Sequence, residues 1–253
     1  MPVRSGRPAW SLRTVGVPWM TFAPDAGHLF TGNDKFYLAN GSGLVDVATG
    51  EVDPLFANDT ALGVPSFSGD GSQLVLAREG PSGGIEMTVW DVAGGREIVS
   101  AHSDESNPEV AFSPDGTVVA VTRQDGAVDL RDAETLDVLR TLPGDAAVKG
   151  MAFDHTGDLL ATLSLDGSIR AWSVRTGDLL FTPPREPNEA AVVTFTADGS
   201  NLAVIHKDGW IRVYPLALED AIGHAQARVT RSFTDAECRE YLHLEACPTD
   251  AAP

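Results

Sequence analysis

Five times along the chain an apolar run ends on phenylalanine and passes at once into a short turn rich in aspartate and glycine. The copies read Phe22-Ala23-Pro24-Asp25-Ala26-Gly27, Phe67-Ser68-Gly69-Asp70-Gly71, Phe112-Ser113-Pro114-Asp115-Gly116, Phe153-Asp154-His155-Thr156-Gly157 and Phe195-Thr196-Ala197-Asp198-Gly199. Their phenylalanines stand 45, 45, 41 and 42 residues apart. A period of that size marks a repeat architecture, in which each unit buries its apolar face only by stacking on a neighbour.

Each copy has the same internal order. Phenylalanine closes a first strand, and the turn after it supplies glycine at the position needing positive φ. Second strands follow at Gln73–Ala77, Thr117–Thr122, Asp158–Leu163 and Asn201–His206. The pairs Asp125-Gly126, Asp166-Gly167 and Asp208-Gly209 then predict tight hairpins. Third strands end on an aromatic residue or its substitute, at Val89–Val92, Val128–Asp132, Ile169–Trp172 and Ile211–Tyr214. Short fourth strands, Asp137–Leu142 and Asp178–Thr182, lead to the next copy. Four strands per period make one propeller blade. The expected fold is all-β, a β-propeller of about five four-stranded blades over residues 1–216, with a short helical tail over 217–253.

The Ser-Pro-Asp-Gly turn, the Asp-Gly hairpin and the dipeptide Trp90-Asp91 resemble the WD-repeat family over roughly residues 10–216. On that resemblance Phe22, Phe67, Phe112, Phe153, Phe195, Trp90, Asp91 and Trp172 are repeat-defining structural residues. The pattern is degenerate: Val45-Asp46, Arg131-Asp132, Trp172-Ser173 and Tyr214-Pro215 stand where Trp-Asp is expected, and no Gly-His pair lies near a fourth strand. The resemblance therefore does not extend to the buried His–Asp network of well-preserved members, and packing is left to hold the blades. Two readings of five copies stay open. Either the ring closes with five blades, Ser11–Val17 supplying the missing last strand, or the chain belongs to a larger propeller.

Beyond Leu216 the period changes. Leu218, Ala221, Ile222, Ala225 and Val229 share one helical face. Phe233-Thr234-Asp235-Ala236-Glu237-Cys238 reads as a second helix start, with Thr234 as N-cap and Glu237 completing a capping box. From Arg228 to Pro248 the tail resembles the endings of actinobacterial WD-repeat chains, whose propellers terminate large regulators. That implies a sensing or docking role in a bacterial signalling system. Cys238 and Cys247 are either a disulfide or two free thiols; a reducing cytosol favours thiols.

Thirty-six acidic against 18 basic residues leave a formal charge of −18. Such a field repels phosphate, which argues against direct binding of nucleic acid or an anionic membrane. The chain has no apolar run of membrane-spanning length, and the basic stretch Met1–Arg7 lacks the apolar core of a secretory leader, so a cytoplasmic setting is expected. Enzymatic signatures are missing. There is no phosphate-binding glycine loop, and the six histidines lack zinc spacing. Gly80-Pro81-Ser82-Gly83-Gly84 matches an esterase expression but lies between two strands rather than on a strand-to-helix elbow. No cofactor is expected.

Trp210 follows the Asp208-Gly209 hairpin where other copies carry Ala127 or Ser168, which marks it for contact with a partner. Asp104, Glu105 and Glu109 precede the third blade, as a solvated acidic face or a loop that recognises a basic partner. The expectation is a non-catalytic scaffold or sensory module with a protein or peptide partner. The alternatives are a propeller hydrolase or lactonase with a metal in its channel, and a functionless fragment of a larger regulator.

Overall fold

The computed structural model describes residues 18–33, 43–53, 61–79, 84–103, 108–183 and 190–216. They form an all-β propeller of five blades. Blade I holds β1 (Pro18–Phe22), β2 (His28–Asn33) and β3 (Gly43–Asp46). Blade II holds β4 (Ala61–Phe67), β5 (Gln73–Glu79), β6 (Ile85–Asp91) and β7 (Arg96–Ser103). Blade III holds β8 (Val110–Phe112), β9 (Val118–Thr122), β10 (Val128–Asp132) and β11 (Val138–Leu142). Blade IV holds β12 (Val148–Phe153), β13 (Leu159–Ser164), β14 (Ile169–Ser173) and β15 (Leu179–Phe181), and blade V holds β16 (Ala190–Phe195), β17 (Asn201–His206) and β18 (Ile211–Pro215). All pairings within blades are antiparallel, as hairpin connections require.

Each repeated phenylalanine is the last residue of its blade's first strand. Register then aligns it across the blade: Phe67, Leu74 and Trp90 form one row, and Phe112, Val119 and Arg131, Phe153, Leu160 and Trp172, and Phe195, Leu202 and Tyr214 form the equivalents. The glycines of the first turn take the left-handed backbone they were expected to supply, with Gly116 at φ 73°. In blade I that position falls on Ala26, at φ 56°.

Blades II, III and IV have four strands; blades I and V show three among the described residues. In blade I the fourth strand is reduced to a single bridge, Val45 to Val52. The segment Ser11–Val17, residues 217–253 for which a helical tail is expected, Cys238 and Cys247 lie outside the described residues, as do Asp104 and Glu105.

The first strands β1, β4, β8, β12 and β16 neighbour one another in that order. Between successive blades lie four apolar clusters, built from Phe30 and Leu74 (I/II), Val75 and Phe112 (II/III), Leu130 and Leu160 (III/IV), and Leu163 and Leu202 (IV/V). Each buried aliphatic side chain contributes on the order of 1.5–3 kcal/mol, so packing between blades is what holds the structure. Direct bonds add register between blades: the Phe112 amide donates to Ser66 Oγ at 2.9 Å and the Gly69 amide to the Pro114 carbonyl at 3.0 Å. A Cβ on Gly69 would collide with that carbonyl oxygen, so glycine is needed for the approach. At the ends of the series the rule lapses. Phe22 is 57% exposed where Phe67 and Phe112 are 8% and 5%, because no described blade packs on its side.

Candidate interaction surface

Strand alternation sorts the connections into two ends. The turn end carries the first-to-second and third-to-fourth strand turns. The hairpin end carries the second-to-third strand hairpins and the links between blades.

At the turn end the carboxylates are engaged by their own turns. Asp70 Oδ1 accepts from the Ser72 amide (2.9 Å), Ser68 Oγ (2.7 Å) and Ser72 Oγ (2.8 Å), and these bonds hold its carboxyl below the usual range. Burial pushes Asp115 up, but the hydroxyls of Ser113 and Thr117 and the Thr117 amide together hold it below its ordinary value. Asp198 is lowered to about 2 by the Thr196 hydroxyl and then the Ser200 amide. Blade IV exchanges the two roles: Asp154 occupies the serine position, accepting from the Leu159 amide at 2.8 Å and from Thr156 Oγ1 at 2.6 Å. In the other turns Asp46, Asp91 and Asp132 accept amides at the third residue onward. Asp91, in the one intact Trp-Asp dipeptide, also binds Arg96 at 3.1 Å. This end is closed upon itself.

Trp172 and Trp90 are core residues. The Trp172 indole is buried between blades III and IV and donates to Thr162 Oγ1 at 3.1 Å. Trp90 packs against the I/II cluster with the Arg78 guanidinium 5.8 Å from its ring centroid. In blade III the aromatic is replaced by Arg131, and buried Asp129, two residues earlier on the same strand face, neutralises it. Arg131 Nη2 lies 3.0 Å from Asp129 Oδ2, Thr141 Oγ1 donates to Oδ1 at 2.7 Å, and Arg123 Nη1 stands 3.8 Å away. The Asp-x-Arg spacing on a strand was the available signal for this pair.

The hairpin end is different in kind. Trp210 is 67% exposed at the hairpin of blade V, whereas Ala127, its equivalent in blade III, is 7% exposed beneath the link to blade IV. On the adjacent blade Leu165 is 63% exposed at the hairpin tip, where blades III and V carry the polar Gln124 and Lys207. An apolar residue in that slot of an Asp-Gly hairpin was the sign that sequence reading passed over. Glu109 opens onto the same end from blade III, two blades from Trp210, and the structure does not bring the two together. It is half-buried, and burial pushes its carboxyl up, so it is not part of a fully solvated acidic face. Two ion pairs border the surface, Arg123 with Asp125 at 3.1 Å and Arg170 with Asp145 at 2.7 Å. Among the described residues no group of three or more metal-ligating side chains converges, and no helix is long and apolar enough to cross a membrane.

Comparison with known proteins places this geometry. The WD domain, G-beta repeat family matches residues 136–173, from the outer strand of blade III to the third strand of blade IV. The match and the blades together support a WD-repeat β-propeller. Among relatives, the U3 small nucleolar RNA-associated protein 21 homolog of Schizosaccharomyces pombe is 32% identical over 123 residues, 48% of this chain and 14% of that protein. COMPASS component SWD3 of Saccharomyces cerevisiae is 28% identical over 155 residues, 58% of this chain and 46% of that protein. Telomerase protein component 1 of Rattus norvegicus is 27% identical over 124 residues, 49% of this chain and 5% of that protein. The chain thus spans less than half the length of each of these relatives, all of them eukaryotic.

Proposed function

We propose that this propeller is a non-catalytic interaction module that holds a protein or peptide partner against its hairpin end. One observation carries the reading: Trp210 and Leu165 stand 67% and 63% exposed on hairpins of adjacent, rigidly packed blades. Large apolar side chains presented on a fixed scaffold are what binding hot spots are made of, and loops on a rigid frame are where binding function concentrates. Two relatives are named as components, one of COMPASS and one of telomerase, which supports a partner of protein nature. Asp104, Glu105 and Glu109 stand close together in the sequence, an acidic run suited to a basic segment of that partner. The setting is a bacterial regulatory system, supported by the resemblance of the 228–248 tail, in the cytoplasm, supported by the lack of an apolar core after Met1–Arg7.

The test is selection of binders from a random peptide library on the intact chain, followed by affinity measurement on Trp210→Ala and Leu165→Ser. Loss of a hot-spot residue costs about 2 kcal/mol or more, roughly thirty-fold in affinity. Selected peptides that bind both variants as tightly as the parent chain would sink the assignment of this surface.

A further inference from the structure

Blade V presents an apolar face that has a counterpart, covered, in every four-stranded blade. Val213 is equivalent by register to Val89, Leu130 and Ala171, and Ile211 to Met87, Val128 and Ile169. Those six residues are 0–6% exposed because the following blade packs on them; Val213 and Ile211 are 53% and 62% exposed. Ile205 on the adjacent strand lies opposite Ile211, on the same face, at 37%. The chain leaves this blade at Leu216, whose amide donates to the Ser200 carbonyl at the turn end.

In blades II, III and IV the chain at this point turns back as a fourth strand, through a cap made by Asp91, Asp132 or Ser173, and in blade I the Asp46 cap returns it as the single Val45–Val52 bridge. Pro215 stands in that position in blade V and has no side-chain acceptor, so the turn that would return a strand is not encoded. The residues after Leu216 carry helical spacing instead. Leu218, Ala221, Ile222, Ala225 and Val229 form one stripe, Glu219 and Asp220 sit in its first turn and Arg228 in its last, as a helix dipole favours. Twelve residues of helix span about 18 Å, and the five residues of β18 about 17 Å. A helix this short, with Gly223 inside it, is marginal in water and needs a surface. We infer that residues 218–229 dock as an amphipathic helix on the Ile205–Ile211–Val213 face, running from the turn end back toward the hairpin end and capping the last blade. The very short tether from Leu216 favours this occupant over any separate molecule, because it makes the encounter intramolecular.

Thermal unfolding of the full chain tests this with Ile222→Asp, Val213→Asp, the double variant and Ala227→Asp on the opposite side of the helix. Removing a buried isoleucine contact lowers Tm by roughly 5–10 °C for a domain of this size. The expected result is such a drop for Ile222→Asp and for Val213→Asp, a double variant close to the worse single, and no change for Ala227→Asp. Ile222→Asp with the parent Tm overturns the proposal, as do strictly additive singles. A concentration-dependent dimer in sedimentation, lost in Val213→Asp and kept in Ile222→Asp, overturns it in favour of a second copy on this face. Should Val213→Asp fail to fold, hydrogen exchange on the parent chain decides: slowed amides over 221–229 uphold docking, and free exchange there refutes it. These readouts are independent of peptide binding at Trp210, so either proposal can fail alone.

Discussion

Removing the Asp129 carboxylate sets two physical effects against each other in a measurable way. In Asp129→Ala, Arg131 keeps its bond to the Leu136 carbonyl at 3.1 Å but loses the carboxylate 3.0 Å away, and Thr141 loses its acceptor at 2.7 Å. The Arg131 side chain is only 18% exposed, so water replaces little of what is lost. Breaking a buried pair costs about 3–5 kcal/mol, and the remaining bond to Leu136 places this case near 3 kcal/mol. For a chain of this size that lowers Tm by about 6–12 °C.

Replacing both partners is a different matter, since a buried ion pair exchanged for well-packed residues is often neutral or stabilising. Blade II shows which residues fit, because Thr88 and Trp90 occupy the registers of Asp129 and Arg131. The double variant Asp129→Thr with Arg131→Trp is therefore expected within about 1 kcal/mol of the parent chain. Thermal and urea unfolding followed by circular dichroism measure both. A loss below about 1 kcal/mol for Asp129→Ala, or a double variant as unstable as the single, would refute the account of how blade III tolerates an arginine in an aromatic's place.

Two further outcomes concern the turns. Asp198, lowered to about 2, has a folded value below its unfolded one, so its contribution is present above about pH 4 and fades as pH falls toward 2. Carboxyl NMR should follow that titration, and Thr196→Val should move it back toward the ordinary aspartate value; an unperturbed midpoint in the parent chain would contradict the bonding described. Ala26 and Leu136 both hold left-handed backbone, at φ 56° and 59°. Ala26→Gly should raise stability by about 1 kcal/mol, whereas Leu136→Gly gives up a buried side chain worth about 2–5 kcal/mol and should be destabilising overall. Opposite signs in paired unfolding curves are the check, and a stabilised Leu136→Gly would mean that its packing counts for little.

The blade order was legible because turn chemistry repeats: glycine or aspartate at a fixed distance after phenylalanine encodes a hairpin locally, without help from the rest of the chain. Where tertiary packing overrode the local rule, the sequence misled. Leu136 takes a position that is glycine in three other blades, Gly50, Gly95 and Gly177, because its side chain is buried in the II/III cluster. Glu109 reads as one more charge in an acidic run, yet it immediately precedes the first strand of blade III and is half-buried there. Trp210 was readable because its equivalents are small, and Leu165 was readable by the same comparison. The exchange of Asp154 and Thr156 in blade IV was hidden because it conserves the bonds while permuting the residues.

The charge of −18 invites a functional reading that the turns largely absorb. Asp25, Asp46, Asp70, Asp91, Asp115, Asp125, Asp132, Asp154, Asp166, Asp198 and Asp208 each accept an amide hydrogen within their own turn. An aspartate that caps a turn is selected by geometry, since a short side chain with a fixed acceptor can reach the backbone two or three residues on. A propeller built from two such turns per blade therefore accumulates negative charge as a by-product of its architecture. Net charge accordingly says little about the partner of this protein. The informative departures are the side chains that turn geometry does not require, and on the hairpin end those are Trp210 and Leu165.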